Sequence, residues 1–360
     1  MTKKERLVAA LLAIVVLAAV ADTAAAKGVG SMAAPGGVVV HGSPYRYIAM
    51  APGSGDNLTV VARVERDGGR LSRWWYLRGK FVVPAVAYDF SGGGLSADGR
   101  TLVLSRFAHA YPPRTSQFAI LDTRRPFRWR GPGRPPRSRR LARFIDLRGD
   151  FSFDAVSPDG STLYLIQRSS KNRGPDYITN YEVRALDVKS GRLLPEPIVD
   201  PKEPDERMAG LPITRASSPD GRWAYTLYDG DGHEPFIHAL DTVGRRAVCI
   251  DLPQLEGRRD LFMLRMRSDP AGRRLTVMSG PPPPKRLPPL SSGRPISTPT
   301  PRPLLHVDTE SFEVRRADSP KKGTQESGAL WLPAGIGLVV LASALGWERR
   351  SRRRRAARAR

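Results

Sequence analysis

The sequence predicts an all-β protein, a β-propeller of five four-stranded blades, preceded by a signal segment and followed by one transmembrane helix. Three observations support the fold. A tight-turn motif recurs at a long and nearly fixed period, a strand-like segment follows each copy, and a second motif follows each copy in step. Self-similarity at a period above about 40 residues indicates a repeat architecture, and four strands per repeat are typical of propeller blades.

The turn motif marks the start of each repeat. The sequence Ser-Pro-Asp-Gly ends at Gly160 and again at Gly221, a variant ends at Gly99, and a degraded copy ends at Gly272, with spacings of 61, 61 and 51 residues. Proline presets φ for the second turn position, aspartate bonds to the backbone two residues on, and glycine accepts a positive φ. Each copy therefore predicts a turn between two strands.

The second motif marks the end of the third strand of each repeat. An apolar run ends in aspartate at Asp122, Asp187, Asp241 and Asp308, which lie 23, 27, 20 and 36 residues after the turn glycine. The longest interval contains a proline-rich insertion at residues 281–303. Each aspartate leads into a hairpin and a fourth strand.

A weaker unit precedes the four clear repeats. Residues 37–78 contain four candidate strands that begin near Val38, Tyr45, Leu58 and Leu71. The propeller is therefore predicted to occupy residues 37–317, as five units of about 56 residues each, and a linker follows at residues 318–328. This unit is longer than a lean blade of about 40–45 residues, which indicates long loops.

On these motifs the chain resembles the Ser-Pro-Asp-Gly class of bacterial propellers, namely the TolB-type, YVTN-type and WD-repeat-like families. The resemblance covers the five units and implies the propeller fold. It implies little about activity, because such folds carry many unrelated functions. Some relatives of YVTN-type propellers are lactonases, so the resemblance leaves a lactonase-like activity open.

The two ends of the chain predict an exported protein with a membrane anchor. Residues 1–26 have a positive start, an apolar run of 14 residues and a small-residue cleavage site, as in a secretory signal. Residues 329–347 are 19 residues without a charge, long enough to cross a bilayer, and the tail at 348–360 contains eight arginines. Since positive tails stay in the cytoplasm, we expect a single-pass cell-membrane protein with an extracytoplasmic propeller.

The net charge of +23 suggests an anionic partner. Much of the positive charge of the propeller lies in a loop that begins at Arg124 and ends at Arg143. In an exported domain the accessible anions are lipid headgroups, envelope polymers and acidic proteins, so the loop predicts contact with such a surface rather than with nucleic acid. A solvated loop without a partner is the alternative.

Repeat alignment identifies a candidate ligand site. Seven positions after the turn glycines lie Arg106, Gln167 and Tyr228, and six positions before them, on adjacent innermost strands, lie Asp154 and Arg215. Propellers usually bind ligands where such side chains converge on the central channel. A purely structural ion pair between Asp154 and Arg215 is the alternative.

Candidate metal and catalytic chemistry is sparse. Asp229 and Asp231 with a glycine between them, followed by Glu234, resemble the opening of an oxygen-rich calcium loop, and a tight polar turn is the alternative. No nucleophile elbow, zinc motif or cysteine pair is present. The sequence thus favours a ligand- or protein-binding or scaffolding module, with a lactonase-like or metal-assisted hydrolase as the alternative.

Overall fold

A computed structural model describes residues 32–50, 57–107, 113–125, 141–168, 180–204, 208–280 and 301–317. The predicted signal segment, linker, transmembrane helix and basic tail lie outside these ranges. Within them, no helix combines the length and the apolar character that a membrane crossing requires.

Five antiparallel sheets follow one another along the chain and form the blades of a propeller. In the first, Val38 bridges to β1 (Tyr45–Met50), which is followed by β2 (Leu58–Glu65) and β3 (Leu71–Arg78). The second contains β4 (Phe81–Val82), β5 (Thr101–Arg106), β6 (Thr115–Asp122) and β7 (Ala142–Arg148). The third contains β8 (Asp150–Val156), β9 (Thr162–Arg168), β10 (Asn180–Asp187) and β11 (Arg192–Ile198), with β12 (Met208–Ala209) added beside β10.

The last two blades complete the predicted number. The fourth contains β13 (Pro212–Ser217), β14 (Trp223–Tyr228), β15 (Phe236–Asp241) and β16 (Arg246–Asp251). The fifth contains β17 (Leu264–Ser268), β18 (Arg274–Ser279), β19 (Pro303–Asp308) and β20 (Val314–Arg316). Within each sheet, strands that are consecutive in sequence pair with one another, except that β12 pairs with β10. The prediction of a five-bladed propeller is confirmed.

The recurring turn motif has the same hydrogen bonds in three blades. In the fourth blade the Ser218 hydroxyl donates to Asp220 Oδ1 at 2.5 Å, and the same oxygen accepts the Arg222 N–H at 3.0 Å. Ser218 Oγ also accepts the N–H of Trp223 at 2.8 Å. Equivalent bonds form in the second blade around Ser96 and Asp98, and in the third around Ser157 and Asp159. The motif recurs because its side chains fix the entry of the second strand.

The two sequence motifs touch each other in space. The hydroxyl of Thr123, at the end of the third strand, donates to the carbonyl of the turn glycine Gly99 at 2.6 Å. Thr242 bonds to Gly221 at 3.1 Å, and Thr309 bonds to Gly272 at 2.6 Å, in the same way. All these turns, with the hairpins between third and fourth strands, lie on one face of the propeller, which we call the turn face.

Apolar clusters join consecutive blades. They include Trp75 and Phe81 between the first and second blades, Val103 and Phe153 between the second and third, Tyr164 and Tyr228 between the third and fourth, and Leu227 and Val277 between the fourth and fifth. Among the described residues, none of these clusters contains members of both the first and the fifth blade. Each blade is therefore stabilised mainly by the neighbours that precede and follow it.

An insertion crosses the channel from the second blade. Its innermost strand is interrupted between Val82 and Gly94, and residues 83–93, which we call the plug, leave the sheet. The plug reaches the fourth blade, where Tyr88 N–H donates to the Pro212 carbonyl at 2.9 Å and Asp89 N–H donates to the Ile213 carbonyl at 3.2 Å. The sequence did not predict the plug, because no other repeat contains its counterpart.

Two glycines allow the plug to pack closely. A Cβ at Gly92 would lie 2.2 Å from the Gly37 carbonyl oxygen, and a Cβ at Gly93 would lie 2.5 Å from the Phe153 ring. Only glycine leaves room for these approaches. The glycine run of the plug therefore positions it against the first and third blades.

Candidate functional site

Asp154 and Arg215 meet at the centre of the propeller. Arg215 Nη2 forms an ion pair with Asp154 Oδ1, and Arg215 Nη1 donates to the Asp154 carbonyl at 3.1 Å. The two side chains are 4% and 8% exposed. Asp154 sits at a register shift between β8 and β9, so that it has no partner residue on β9. Such bulges re-aim side chains. The predicted juxtaposition of these two residues is present.

Asp154 lines two cavities of the channel. One, of about 560 Å³, opens on the turn face, and we call it the turn-face cavity. Its lining includes Arg215, the plug glycines Gly92 and Gly93, and the exposed residue His41. The other, of about 30 Å³, is enclosed between the plug and the second, third and fourth blades, and we call it the enclosed cavity.

The enclosed cavity is lined by buried polar side chains. Ser105, Arg168, Tyr181 and Tyr228 border it together with Asp154, and each of these side chains belongs to a residue at most 7% exposed. Burial raises the pKa of the Tyr181 hydroxyl well above its usual value, and burial does the same for Tyr228. Both tyrosines are therefore neutral hydrogen-bonding groups at physiological pH.

Of the five predicted ligand residues, the structure brings three together. Asp154, Arg215 and Tyr228 lie around the centre. Arg106 instead donates to Gln117 Oε1 at 3.2 Å, and Gln167 Oε1 accepts from Arg184 Nη1 at 2.9 Å, each within its own blade. Their neighbours Ser105 and Arg168 line the enclosed cavity, because side chains of a strand alternate between its two faces.

A buried polar row leads outward from the ion pair through the fourth blade. Arg215 pairs in register with Thr226, Thr226 with His238, and His238 with Cys249. His238 is 2% exposed. Burial lowers the pKa of His238 to about 4, with Arg215 lowering it further and Asp154 and Asp200 opposing the shift. His238 is therefore neutral at physiological pH.

Asp229, the first of the predicted metal residues, forms hydrogen bonds to the backbone. Asp229 Oδ1 accepts the backbone N–H of Leu211 at 2.7 Å and that of Asp231 at 3.2 Å, so this carboxylate closes a turn. In the parts of the chain that the structure describes, no group of three or more His, Cys, Asp or Glu side chains could hold a metal ion. Calcium binding by Asp229, Asp231 and Glu234 stays a prediction from the sequence.

The predicted basic loop lies between the third and fourth strands of the second blade, as expected, although residues 126–140 are outside the described ranges. A surface cavity of about 640 Å³ beside its two ends is lined by five cationic side chains, namely Arg100, Arg124, Arg125, Arg143 and Lys189. Asp122 pairs with Arg124 at 3.0 Å and with Arg125 at 3.4 Å. The carboxylate thus offsets part of the positive charge of this groove.

Comparison with known proteins concerns the fold. No protein-family model and no curated protein matches the chain. TolB from Acinetobacter baumannii is 13% identical with a TM-score of 0.36, over 75% of this chain and 51% of that one. A putative TolB from Agrobacterium tumefaciens is 14% identical with a TM-score of 0.36, over 75% and 76%.

A third similar structure is the β-propeller domain of Cps50 (Swd1) from Myceliophteria thermophila. It is 10% identical with a TM-score of 0.38, over 78% of this chain and 73% of that one. The structural neighbours are thus TolB-type and WD40-like propellers, the classes that the turn motif resembles. This chain spans only about half the length of the Acinetobacter baumannii TolB, 51%.

Proposed function

We propose that this protein is a binding module, and that its ligand or protein partner inserts into the turn-face cavity. In the proposal the propeller is extracytoplasmic and is held at the cell membrane by the apolar segment at residues 329–347. The location rests on the sequence of the two chain ends. The binding site rests on the cavity of about 560 Å³, whose size lies within the usual range for ligand pockets of roughly 300–1,000 Å³.

The plug supports entry from the turn face. Val86, Gly92 and Gly93 of the plug line this cavity. At its far side the plug is hydrogen-bonded to the start of β13, and the Thr214 hydroxyl donates to Asp89 Oδ2 at 2.6 Å. A ligand would therefore approach past the Ser-Pro-Asp-Gly turns, where Ala97 and Pro219 lie at the mouth.

The lining of the cavity suits a partner group that has apolar atoms beside polar ones. Small and apolar residues such as Val38, Ala155 and Ala224 are the majority of the lining residues, while polar atoms form somewhat more than half of the exposed wall. The charged groups at its floor, Asp154 and Arg215, already bond to each other. A projecting apolar side chain of a partner protein would gain about 25 cal/mol per Å² of apolar surface buried there.

The basic groove extends the proposed interface toward anionic partners. It lies on the rim of the same face, because it is formed by the turn and hairpin residues of the second and third blades. An acidic protein or an anionic envelope polymer that rests on the turn face would meet Arg100, Arg143 and Lys189. Such contacts would contribute mainly to the association rate.

The hydrolase alternative has less support. Among the described residues, His306 Nδ1 and Thr276 Oγ1 form a hydrogen bond of 3.1 Å between neighbouring strands of the fifth blade. This is a pairing of a histidine with a hydroxyl group, as a nucleophile and its base would require. Neither residue lines the turn-face cavity. A nucleophile paired with its base would be expected in a pocket that holds the substrate.

Site-specific photocrosslinking in the native cell tests the proposal. A photoreactive amino acid replaces His41, at the mouth of the cavity, or Arg106, an exposed residue at the opposite end of its strand from the turn face. We expect a discrete crosslinked product from position 41 and none of the same mass from position 106. Identical products from both positions, or none from position 41, would contradict binding at the turn face.

A further inference from the structure

Four residues that line the enclosed cavity each have a buried polar atom without a hydrogen-bond partner among the described residues. These atoms are Ser105 Oγ, Asp154 Oδ2, Arg168 Nε and Tyr181 OH. They come from three strands of the third blade and one of the second. All four residues line the same small space, which Pro84 and Ala85 of the plug also line.

The hydrogen-bonding chemistry of these four atoms is complementary. Arg168 Nε is a donor only, and Nη1 of the same guanidinium donates to Ser152 Oγ at 3.0 Å. The Asp154 carboxylate oxygen serves as an acceptor, whereas the hydroxyls of Ser105 and Tyr181 can donate or accept. The set therefore offers two donors and two acceptors, which is the complement of one water molecule.

We propose that the enclosed cavity is a binding site for one ordered water molecule. Its oxygen accepts hydrogen bonds from Arg168 Nε and the Tyr181 hydroxyl, and its two hydrogens are donated to Asp154 Oδ2 and Ser105 Oγ. The proposal is independent of the function proposed above. It assigns Ser105, Arg168 and Tyr181 a role that neither the repeat pattern nor the turn-face cavity assigns to them.

The size and charge of the site favour water over an ion. The cavity volume of about 30 Å³ exceeds the roughly 10–15 Å³ that a water molecule needs, and buried waters typically form about three hydrogen bonds. An anion would lie against the carboxylate of Asp154, and a cation would lie against the guanidinium of Arg168. A neutral molecule with donors and acceptors is repelled by neither group.

The water would join the second and third blades beneath the plug. Asp154 belongs to β8, Arg168 to β9, Tyr181 to β10 and Ser105 to β5, so one molecule bridges two blades. An unpartnered buried donor or acceptor loses its full hydration energy. The bridge would therefore stabilise the contact between these two blades.

Oxygen-17 magnetic relaxation dispersion on the full-length protein tests the site, because it counts water molecules that exchange slowly from the interior. The test variant is Ser105→Val, which fills the cavity and removes one partner. The matched control is Ser217→Val, at an exposed residue that lines the turn-face cavity. We expect one slowly exchanging water fewer in Ser105→Val than in the wild type, and no change in Ser217→Val. Equal counts in all three proteins would overturn the proposal.

A crystal structure gives a second and independent result, which also covers the case that Ser105→Val does not fold. We expect one electron-density peak in the cavity, within hydrogen-bond distance of Arg168 Nε and Asp154 Oδ2, and its weakening in Tyr181→Phe. A cavity without density, a direct bond between Arg168 and Asp154, or an anomalous peak there after soaking in bromide would each contradict a bound water.

Discussion

Asp154 of the third blade and Arg215 of the fourth form a buried ion pair that stands between the turn-face cavity and the enclosed cavity. The pair crosses the boundary between two blades, which is otherwise formed by apolar side chains such as Tyr164 and Ala224. A buried pair of this kind is costly to break from one side only, because the remaining charge stays desolvated.

The ion pair predicts a specific pattern of stability in variants. We expect Asp154→Ala and Arg215→Ala each to lower the free energy of unfolding by about 3–5 kcal/mol, and the double variant to recover part of the loss. Urea denaturation measures all three. The matched control is Glu313→Ala, which breaks an exposed pair with Arg315 and should leave stability unchanged. Additive losses in the double variant would contradict direct coupling.

The anchor of the plug predicts opposite effects of one substitution at two buried threonines. Thr214 donates to Asp89 Oδ2, whereas Thr226 Oγ1 on the adjacent strand is buried and has no hydrogen-bond partner in the described part of the chain. We expect Thr214→Val to cost about 1–3 kcal/mol, because Asp89 loses a partner, and Thr226→Val to be neutral or stabilising. Thermal unfolding compares the two. A larger loss in Thr226→Val would show that Asp89 does not anchor the plug.

The close packing of the plug predicts that Gly92 tolerates no side chain. Gly92→Ala would place a Cβ against the Gly37 carbonyl, so either backbone must shift. We expect a loss of about 1–3 kcal/mol, as for other overpacked sites. Gly36→Ala is the matched control, since a Cβ there meets nothing within 4 Å. Equal stability of the two variants, measured by chemical denaturation, would place the plug elsewhere.

His238 predicts a loss of stability in mild acid. Its pKa is about 4 in the folded protein against an ordinary value of 6.5, so the unfolded chain takes up a proton that the folded chain does not. The stabilisation is complete above about pH 7.5, and about 2 kcal/mol of it is lost by pH 5.

Denaturant unfolding between pH 5 and pH 7.5 measures this effect. The variant His238→Gln should show a flatter dependence on pH in that window, while His41, His233 and His306 remain as an internal control. An unchanged pH profile in His238→Gln would mean that another group accounts for the acid sensitivity, and that His238 is not buried as the structure has it.

The blade pattern could be predicted because its signals are local. Ser218, Asp220 and Gly221 form one turn, whose hydrogen bonds join residues at most five positions apart. The local sequence is therefore sufficient to predict the turn. Three of the four strands predicted for the weaker first blade are present as β1, β2 and β3, whereas the predicted strand at Val38 is a single bridge to β1. The plug could not be predicted, because Tyr88 and Asp89 form their hydrogen bonds with residues on β13, which is distant in the sequence.

The sequence predicted only part of the candidate site, and the reason is geometric. Seven positions after each turn glycine, the side chain faces the preceding blade, as Gln167 and Tyr228 do. A site between two blades is formed by the facing sides of both blades. Tyr228 of the fourth blade therefore shares the enclosed cavity with Arg168 of the third blade, which is the residue after Gln167 and points to the opposite side of the strand. On the second strands, counting equal positions therefore selects equivalent faces and misses Arg168. On the innermost strands the same counting selected Asp154 and Arg215, which meet beside the channel.

The central claim is that a partner inserts into the turn-face cavity. The direct measurement is the affinity of the full-length protein for the partner captured from position 41, compared between the wild type, Ser217→Trp and Arg106→Trp. Ser217 lines the cavity and Arg106 does not. We predict that Ser217→Trp weakens binding at least about tenfold, or 1.4 kcal/mol, with an unchanged melting temperature, while Arg106→Trp binds as the wild type does. Full affinity in a stably folded Ser217→Trp would contradict the claim.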